Sequence, residues 1–144
     1  MTLLDWKVYG REYATAMANT ARALAAELIR RDLPVFARDR GGTTSHQFAI
    51  EAADFGGGQT AAKLLRKANI LSCGIGLPID LVEGDLNGLR MGTPELVRWG
   101  LGPDDMPELA GFITDVLKGT RAAEAVAPEV AAFRRRFSKL HFVR

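Results

Sequence analysis

The stretch Asn87-Gly88-Leu89-Arg90-Met91-Gly92-Thr93-Pro94-Glu95 places one arginine within a short apolar run. The run is bounded by a glycine at each end and is too short for a helix, so it predicts a strand. Because successive side chains of a strand point to opposite faces, Arg90 is expected to face away from Leu89 and Met91. Arg90 therefore projects toward water or toward an anion.

The residues after this strand predict the start of a helix. Thr93 has the hydroxyl of a helix N-cap, Pro94 suits the first helical position, and Glu95 favours the positive end of the helix dipole. A strand that ends at a capped helix can hold a guanidinium rigidly, and a guanidinium matches a carboxylate through two parallel hydrogen bonds. Arg90 is thus the first candidate for a binding residue.

Length and composition limit the class of protein. A chain of 144 residues, of which 47% are hydrophobic, predicts a single domain over residues 1–144 with a substantial core. The net charge of +2 and the pI of about 8.9 are too slightly basic to indicate nucleic acid as a partner. The single cysteine excludes an internal disulfide, and no apolar run approaches the roughly 20 residues of a membrane span. With no signal-peptide pattern, we expect a soluble, cytoplasmic protein that does not bind membranes.

Apolar residues that recur every three or four positions predict long helices. The first is expected over residues 8–31, and later ones over residues 60–68, 103–119 and 122–137. Pro128 is expected to interrupt the last helix early. The apolar stripe of the first helix comprises Tyr13, Met17, Ala21, Leu24 and Leu28.

Three further segments have the composition of strands. Residues 35–37 and 47–52 lie on either side of a Gly41-Gly42 turn and could pair with each other. Residues 70–73 are apolar and predict a buried strand, after which a loop is expected over residues 74–84. Together with the helices, these strands predict an α/β or α+β sandwich with a small sheet.

Gly56-Gly57-Gly58 precedes the helix predicted over residues 60–68, and glycines before a helix N-terminus can bind phosphate. The lysine and hydroxyl pair of a P-loop is missing, however, and no dinucleotide-binding spacing follows. We therefore favour a flexible loop over a phosphate site.

Side chains suited to catalysis or to metal binding are scarce. The two histidines, His46 and His141, lack metal-ligand spacing, so no metal site is expected. His46 could act as a general base, although a hydrogen-bonded polar residue at a strand edge is the favoured interpretation. Cys73 follows apolar residues, where a core residue is commoner than a nucleophile. The basic run Arg134-Arg135-Arg136 is typical of a solvated helix end.

Several stretches in register, between about residues 13 and 118, resemble the C-terminal small domain of serine hydroxymethyltransferases. The most specific match is Gly88-Leu89-Arg90-Met91-Gly92-Thr93-Pro94, which resembles the family signature Ser-Gly-Ile-Arg-Ile-Gly-Thr-Pro and is followed by a matching Trp99-Gly100-Leu101. Gly41-Gly42-Thr43 with His46 resembles the family's Gly-Gly-Thr-Asp-Asn-His turn. The long first helix of the family is similar to Tyr13 with Asn19-Thr20-Ala21-Arg22-Ala23-Leu24-Ala25.

The resemblance implies the C-terminal domain of a fold-type I pyridoxal-phosphate enzyme, with a small, mostly antiparallel sheet packed against long helices. In that family the signature arginine binds the carboxylate of the amino-acid substrate, which implies this role for Arg90. His46, Gly88 and Thr93 would then line the site. The resemblance also implies that no catalytic residue lies in this chain, because the cofactor-binding lysine belongs to a large domain outside it. The lysines of this chain lie on predicted helix faces or ends: Lys7, Lys63, Lys67, Lys118 and Lys139.

Departures from the family pattern bear on the substrate. Thr44-Ser45 replaces Asp-Asn in the turn, and Cys73-Gly74-Ile75-Gly76-Leu77-Pro78 replaces Asn-Lys-Asn-x-x-Pro near the folate. These changes remove amide donors and acceptors that a pterin would need, so dependence on tetrahydrofolate is in doubt. An aldolase or transaldolase acting on β-hydroxy-α-amino acids would keep the arginine and lose those residues.

Three functions remain open. The first is the small subunit of a split pyridoxal-phosphate enzyme, paired with a cofactor-binding large-domain subunit in a hetero-oligomer. The second is a binding or regulatory module without catalysis, and the third is a fragment of a longer enzyme. For the first, the apolar residues Leu3, Leu4, Trp6 and Val8, together with the rim of the Arg90 strand, are expected to form the interface with the partner subunit, and Trp6 is expected to be its anchor.

Overall fold

Within residues 2–144, which the computed structural model describes, the chain forms five α-helices and three β-strands. The helices are α1 (Leu3–Arg30), α2 (Gly58–Lys67), α3 (Pro94–Arg98), α4 (Met106–Leu117) and α5 (Ala123–Arg135). The strands are β1 (Gln47–Glu51), β2 (Cys73–Ile75) and β3 (Gly88–Gly92).

The three strands form one antiparallel sheet in the order β1-β3-β2, so β3 is the middle strand. Leu89 and Met91 of β3 and Phe48 and Ile50 of β1 are buried on the face that packs against the helices. This arrangement of a small antiparallel sheet against long helices confirms the predicted sandwich. Arg90 occupies the centre of the other face.

Helix α1 begins at Leu3, five residues before the predicted start, because Thr2 and Asp5 form a capping box. The Asp5 backbone N–H donates to Thr2 Oγ1 at 3.2 Å, and the Thr2 backbone N–H donates to Asp5 Oδ2 at 2.7 Å. Every residue of the predicted apolar stripe is buried, as expected. No helix in residues 2–144 is both long enough and apolar enough to cross a membrane.

Two of the predicted strands differ in the structure. Residues 35–37 make only an isolated bridge from Val35 to Ile50, because Ala37 has a left-handed backbone with φ of 57°. The strand predicted at residues 70–73 instead begins at Cys73 and continues to Ile75, within the predicted loop. Leu71 is not buried but 82% exposed. Apolar composition alone therefore misplaced this strand.

The glycines before α2 form a tight contact rather than the flexible loop that we predicted. A Cβ atom on Gly58 would lie 1.9 Å from the Gly88 carbonyl oxygen, so only glycine allows α2 to approach β3 this closely. Gly57 has a φ of +106° and lies against Asp85, where a side chain would also collide. This contact anchors α2 to the strand that carries Arg90.

Helix α5 differs from the prediction at two points. Pro128 lies inside a continuous helix, because the carbonyl that loses its partner belongs to the exposed residue Glu124, where water can bind it. The basic run at the end of α5 is not simply solvated. The guanidinium carbon of Arg134 lies 4.2 Å from the centre of the Trp99 ring, and that of Arg136 lies 4.4 Å from the centre of the Phe133 ring.

Asp85 caps the N-terminus of α2 from 25 residues away in sequence. Its carboxylate accepts hydrogen bonds from the backbone N–H groups of Gln59 and Thr60, each at 2.9 Å, and from Thr60 Oγ1 at 2.8 Å. These bonds, the one from Gln59 first, lower the pKa of Asp85 to about 2. A carboxylate of the chain itself thus fills the position that a phosphate would take.

Asp85→Asn should make the stability of the protein less sensitive to acid. Because the pKa of Asp85 is lowered by folding, its stabilisation is complete above its ordinary pKa of 3.8 and is lost as the pH falls toward about 2. We expect the variant to be less stable than the parent at neutral pH and to lose less stability on acidification. Urea unfolding between about pH 6 and pH 2 measures this difference. The control Asp54→Asn, at an exposed site two residues before Gly56, should behave like the parent. The same dependence of unfolding free energy on pH in all three proteins would contradict the cap.

Candidate functional site

Arg90 projects from the middle strand on the face that the helices leave uncovered. Leu89 and Met91 are 0% and 5% exposed, whereas Arg90 is exposed, so the predicted alternation is confirmed. The residues directly opposite Arg90 on the neighbouring strands are Ala49 and Cys73. Directly opposite residues of antiparallel strands share a face, and these two are small, so neither blocks the guanidinium.

A shallow pocket of about 420 Å³ surrounds Arg90. Gln47 and Cys73 come from the neighbouring strands, and Pro94 comes from the start of α3. The exposed Leu71, which precedes β2, forms part of the rim. The complete wall comprises His46, Gln47, Leu71, Ser72, Cys73, Arg90, Gly92 and Pro94.

The guanidinium of Arg90 has no intramolecular partner in the part of the chain that the structure describes. The ion pairs there engage other arginines, such as Arg121 with Glu129 and Arg136 with Glu108. No carboxylate of residues 2–144 lies within 4 Å of Arg90. A guanidinium carries five N–H donors in a planar fork that matches a carboxylate or a phosphate. The pocket is therefore suited chemically to a small anion.

His46 borders the Arg90 pocket and also a second pocket that contains Trp6 and Tyr13. We predicted a hydrogen-bonded polar side chain, but the imidazole is exposed and makes no hydrogen bond to another group of residues 2–144. Only its backbone carbonyl is engaged, accepting from the Thr93 N–H at 3.0 Å and from Thr93 Oγ1 at 3.1 Å. The imidazole is therefore free to contact a ligand or a partner.

Thr93 is buried and does not cap α3 with its side chain, contrary to the prediction. Its Oγ1 lies 2.8 Å from the carbonyl oxygen of Met17 in α1 and 3.1 Å from that of His46. The hydroxyl thus joins α1, the residue before β1 and the end of β3, since tertiary contacts outweigh local capping here. Gly88 is also buried and lies outside the pocket wall, where it packs against Gly58.

The chain is similar in sequence to part of several named enzymes. It is 67% identical over 144 residues to the alpha-methylserine aldolase of Ralstonia sp., a match that covers 100% of this chain and 33% of that protein. It is 40% identical over 142 residues to the serine hydroxymethyltransferase of Pyrobaculum neutrophilum, covering 99% of this chain and 33% of that one. The sequence matches no family model.

A solved structure shares the fold. The L-threonine transaldolase of Pseudomonas fluorescens superposes with a TM-score of 0.85 and 24% sequence identity, over 96% of this chain and 32% of that chain. This chain is a serine hydroxymethyltransferase-like C-terminal domain. The domain spans about a third of the length of the curated relatives that it matches.

Several features of this serine hydroxymethyltransferase-like domain were not foreseen from the sequence. Asp85 acts through contacts with residues about 25 positions away, and Asn87 through contacts with residues seven to ten positions away, which no local pattern indicates. Cys73 faces Arg90 across the strands, whereas we expected a core residue; its free thiol is partly exposed. The alternation that places Arg90 could have placed Cys73 as well, had the bounds of β2 been known.

Thr93→Val should destabilise the domain, since it removes a buried hydroxyl that bonds across elements. We expect the free energy of unfolding to fall by about 1–2 kcal/mol, because the buried carbonyl oxygens that Thr93 contacts lose this hydrogen-bond donor. Chemical denaturation of both proteins provides the measurement. Thr114→Val is the matched control, because its hydroxyl bonds only Ala110 O, one turn back in α4, at 2.7 Å. Equal losses of unfolding free energy in the two variants would contradict a tertiary role for the Thr93 hydroxyl.

Proposed function

We propose that this domain binds the substrate carboxylate of a pyridoxal-phosphate enzyme acting on β-hydroxy-α-amino acids, and that Arg90 is the binding residue. The single observation that carries the proposal is the free guanidinium of Arg90, exposed in a pocket and without a carboxylate partner in residues 2–144. The names of the relatives, an alpha-methylserine aldolase and a serine hydroxymethyltransferase, support this substrate class.

Arg90 would act by orientation rather than by proton transfer. Two parallel hydrogen bonds to a carboxylate fix both the position and the rotation of the ligand, and the paired strands on either side hold the arginine backbone in place. The His46 imidazole lies at the edge of the same pocket, makes no hydrogen bond to residues 2–144, and would contact the remainder of the substrate. Thr93 would fix the end of β3 without touching the ligand, because it is fully buried.

The residues of this domain fit a carboxylate and not the cofactor. The N-terminus of α2 is filled by Asp85, and every lysine of the chain is exposed and outside the Arg90 pocket. Pyridoxal phosphate would therefore be held by a large domain, and when bound there it supplies an electron sink for the substrate α-carbon. We propose that this large domain is a separate subunit and that the active form is a hetero-oligomer.

An apolar stripe that extends beyond the core supports such a partner. Leu3 and Trp6 lie on the same side of α1 as the buried residues Tyr13 and Met17, at spacings of three and four residues through Gly10. Leu3 is nevertheless 89% exposed and Trp6 is 45% exposed. Within residues 2–144, the N-terminal end of this apolar stripe is therefore left largely exposed to solvent.

We further propose an aldol or transaldol reaction without tetrahydrofolate. Cys73 and Ile75 lie on the Arg90 face of β2, at the positions where the resembling family carries amide side chains. A thiol and an aliphatic group offer a pterin ring few hydrogen bonds. The aldolase name of the Ralstonia relative supports this assignment, and the proposed substrate class includes α-methylserine.

A chimera tests the proposal. The matching third of the Ralstonia aldolase is replaced by this chain, and cleavage of α-methylserine is measured with and without Arg90→Lys. We expect the chimera to be active and the variant to lose roughly 30-fold to 1,000-fold in kcat/KM, equivalent to about 2–4 kcal/mol, because lysine keeps the charge but not the planar fork. Arg40→Lys, at an exposed position in a short 3-10 helix, is the control. A folded, cofactor-loaded chimera without turnover, or one indifferent to Arg90→Lys, would refute the proposal.

Leu3→Ser should weaken association with the remaining two thirds of the Ralstonia relative, supplied as a separate protein. Burying a leucine is worth about 1.5–3 kcal/mol, so we expect the dissociation constant to rise roughly tenfold or more. Leu81→Ser is the matched control: Leu81 is 92% exposed, as Leu3 is 89% exposed, but it lies in the loop between β2 and β3 rather than on α1. Titration calorimetry decides between them, and equal effects, or no association of the parent domain, would contradict the interface.

A further inference from the structure

A second pocket, which we call the core pocket, lies beside the Arg90 pocket and shares Leu71 and Gly92 with it. Its volume is about 320 Å³, a size typical of small-molecule sites. Close packing is the rule inside proteins, and apolar side chains that line an unfilled space lose contacts. An apolar group of a ligand would restore them. The floor consists of buried apolar side chains from α1, β3, α4, α5 and the segment after α3: Leu24, Met91, Leu101, Leu109, Ile113 and Phe133.

Two opposite charges line the same pocket, and both contact the Trp99 ring. Glu95 is exposed, and its carboxylate accepts from Trp99 Nε1 at 2.9 Å. Arg134 is half-buried, with its guanidinium carbon 4.2 Å from the centre of the indole. Neither side chain forms an ion pair within 4 Å with any residue of 2–144. One indole therefore holds a cation and an anion beside an apolar pocket, and each charge can still bind a ligand.

This combination matches the chemistry of a free apolar amino acid. A guanidinium donates to an α-carboxylate, and a carboxylate accepts from an α-ammonium group. The apolar side chain of the ligand would enter the pocket below Glu95 and Arg134. A fatty acid or the end of a peptide chain carries only one of the two charges, so it would leave either Glu95 or Arg134 without its counterpart.

We propose that the core pocket is a binding site for a free apolar α-amino acid of about the size of leucine. Arg134 would bind the carboxylate of this ligand, and Glu95 would bind its ammonium group. The site is separate from the Arg90 guanidinium, so the inference goes beyond the proposed function and does not depend on it. Because Leu71 and Gly92 belong to both pockets, the ligand would lie next to the substrate site.

The test is a titration of the methyl-labelled domain with L-leucine, followed by the NMR signals of Leu109 and Ile113. We expect both signals to shift and to saturate. Arg134→Gln should weaken the binding roughly tenfold or more, because a hydrogen bond between charged groups is lost. Glu95→Gln keeps an acceptor for the Trp99 indole but removes the charge, and should weaken the binding in the same direction. Arg135→Gln, at the neighbouring exposed arginine outside the pocket, is the matched control and should bind leucine like the parent.

Two ligand analogues separate the head group from the apolar side chain. Glycine has both charges without the side chain, and N-acetyl-L-leucine has the side chain without the ammonium group, so both should bind more weakly than leucine. The absence of a saturable shift with leucine, or an equal affinity for either analogue, would overturn the inference. If Arg134→Gln fails to fold, unchanged binding in Glu95→Gln would also overturn it.

Arg90→Lys separates this inference from the proposed function. The variant should bind leucine in the core pocket like the parent, even though it damages the proposed carboxylate site. Loss of the leucine-induced shifts in Arg90→Lys would place the ligand in the Arg90 pocket and overturn the inference. A chimera whose turnover is indifferent to Arg90→Lys, with the leucine titration unchanged, would overturn the proposed function alone.

Discussion

The structure depends on the burial of only one face of β3. Leu89 and Met91 enter the core, and the period of two along a strand then forces Arg90 to the opposite face. Because β3 is the middle strand, pairing on both sides fixes its backbone and its twist. The guanidinium therefore stands on a rigid support, in contrast to one carried by a surface loop.

The contacts around β3 all preserve this placement. Gly58 brings α2 against the Gly88 carbonyl at the start of the strand, and the Thr93 hydroxyl ties its end to α1 and to His46. Asn87 and Asp85 hold the loop that precedes the strand. Two of the four buried polar side chains in residues 2–144, Asn87 and Thr93, thus flank β3, which is where a small displacement would move Arg90 most.

The parts of the fold that follow from local periodicity could be predicted from the sequence. The buried stripe of α1 and the outward direction of Arg90 each follow from a repeat of 3.6 or of two residues, and the structure confirms both. The bounds of α1 were wrong because the capping box at Thr2 precedes the first apolar repeat. The exposed Leu71 shows that an apolar run does not determine burial when the segment lies at the edge of a sheet.

The remaining features could not be predicted because they depend on residues distant in sequence. Threonine is a residue type that favours helix N-caps, yet the Thr93 hydroxyl donates to a carbonyl 76 residues away. Asp85 caps a helix that begins 27 positions earlier in the sequence. The three consecutive glycines suggested mobility, but Gly58 is required by close packing against β3. For the site, the sequence indicated Arg90 and His46, while Cys73 became recognisable only once the strand register was known.

The most direct test of the account is whether the Arg90 guanidinium binds a carboxylate in a defined geometry. The measurement is a titration of the labelled domain with acetate, followed by the NMR signals of the arginine Nε–H groups, with chloride at equal ionic strength as the reference. We expect a saturable shift and slowed hydrogen exchange at Arg90, and no such change at Arg40, which is exposed and lies outside the Arg90 pocket. Equal responses at the two arginines, or a response to chloride alone, would contradict it.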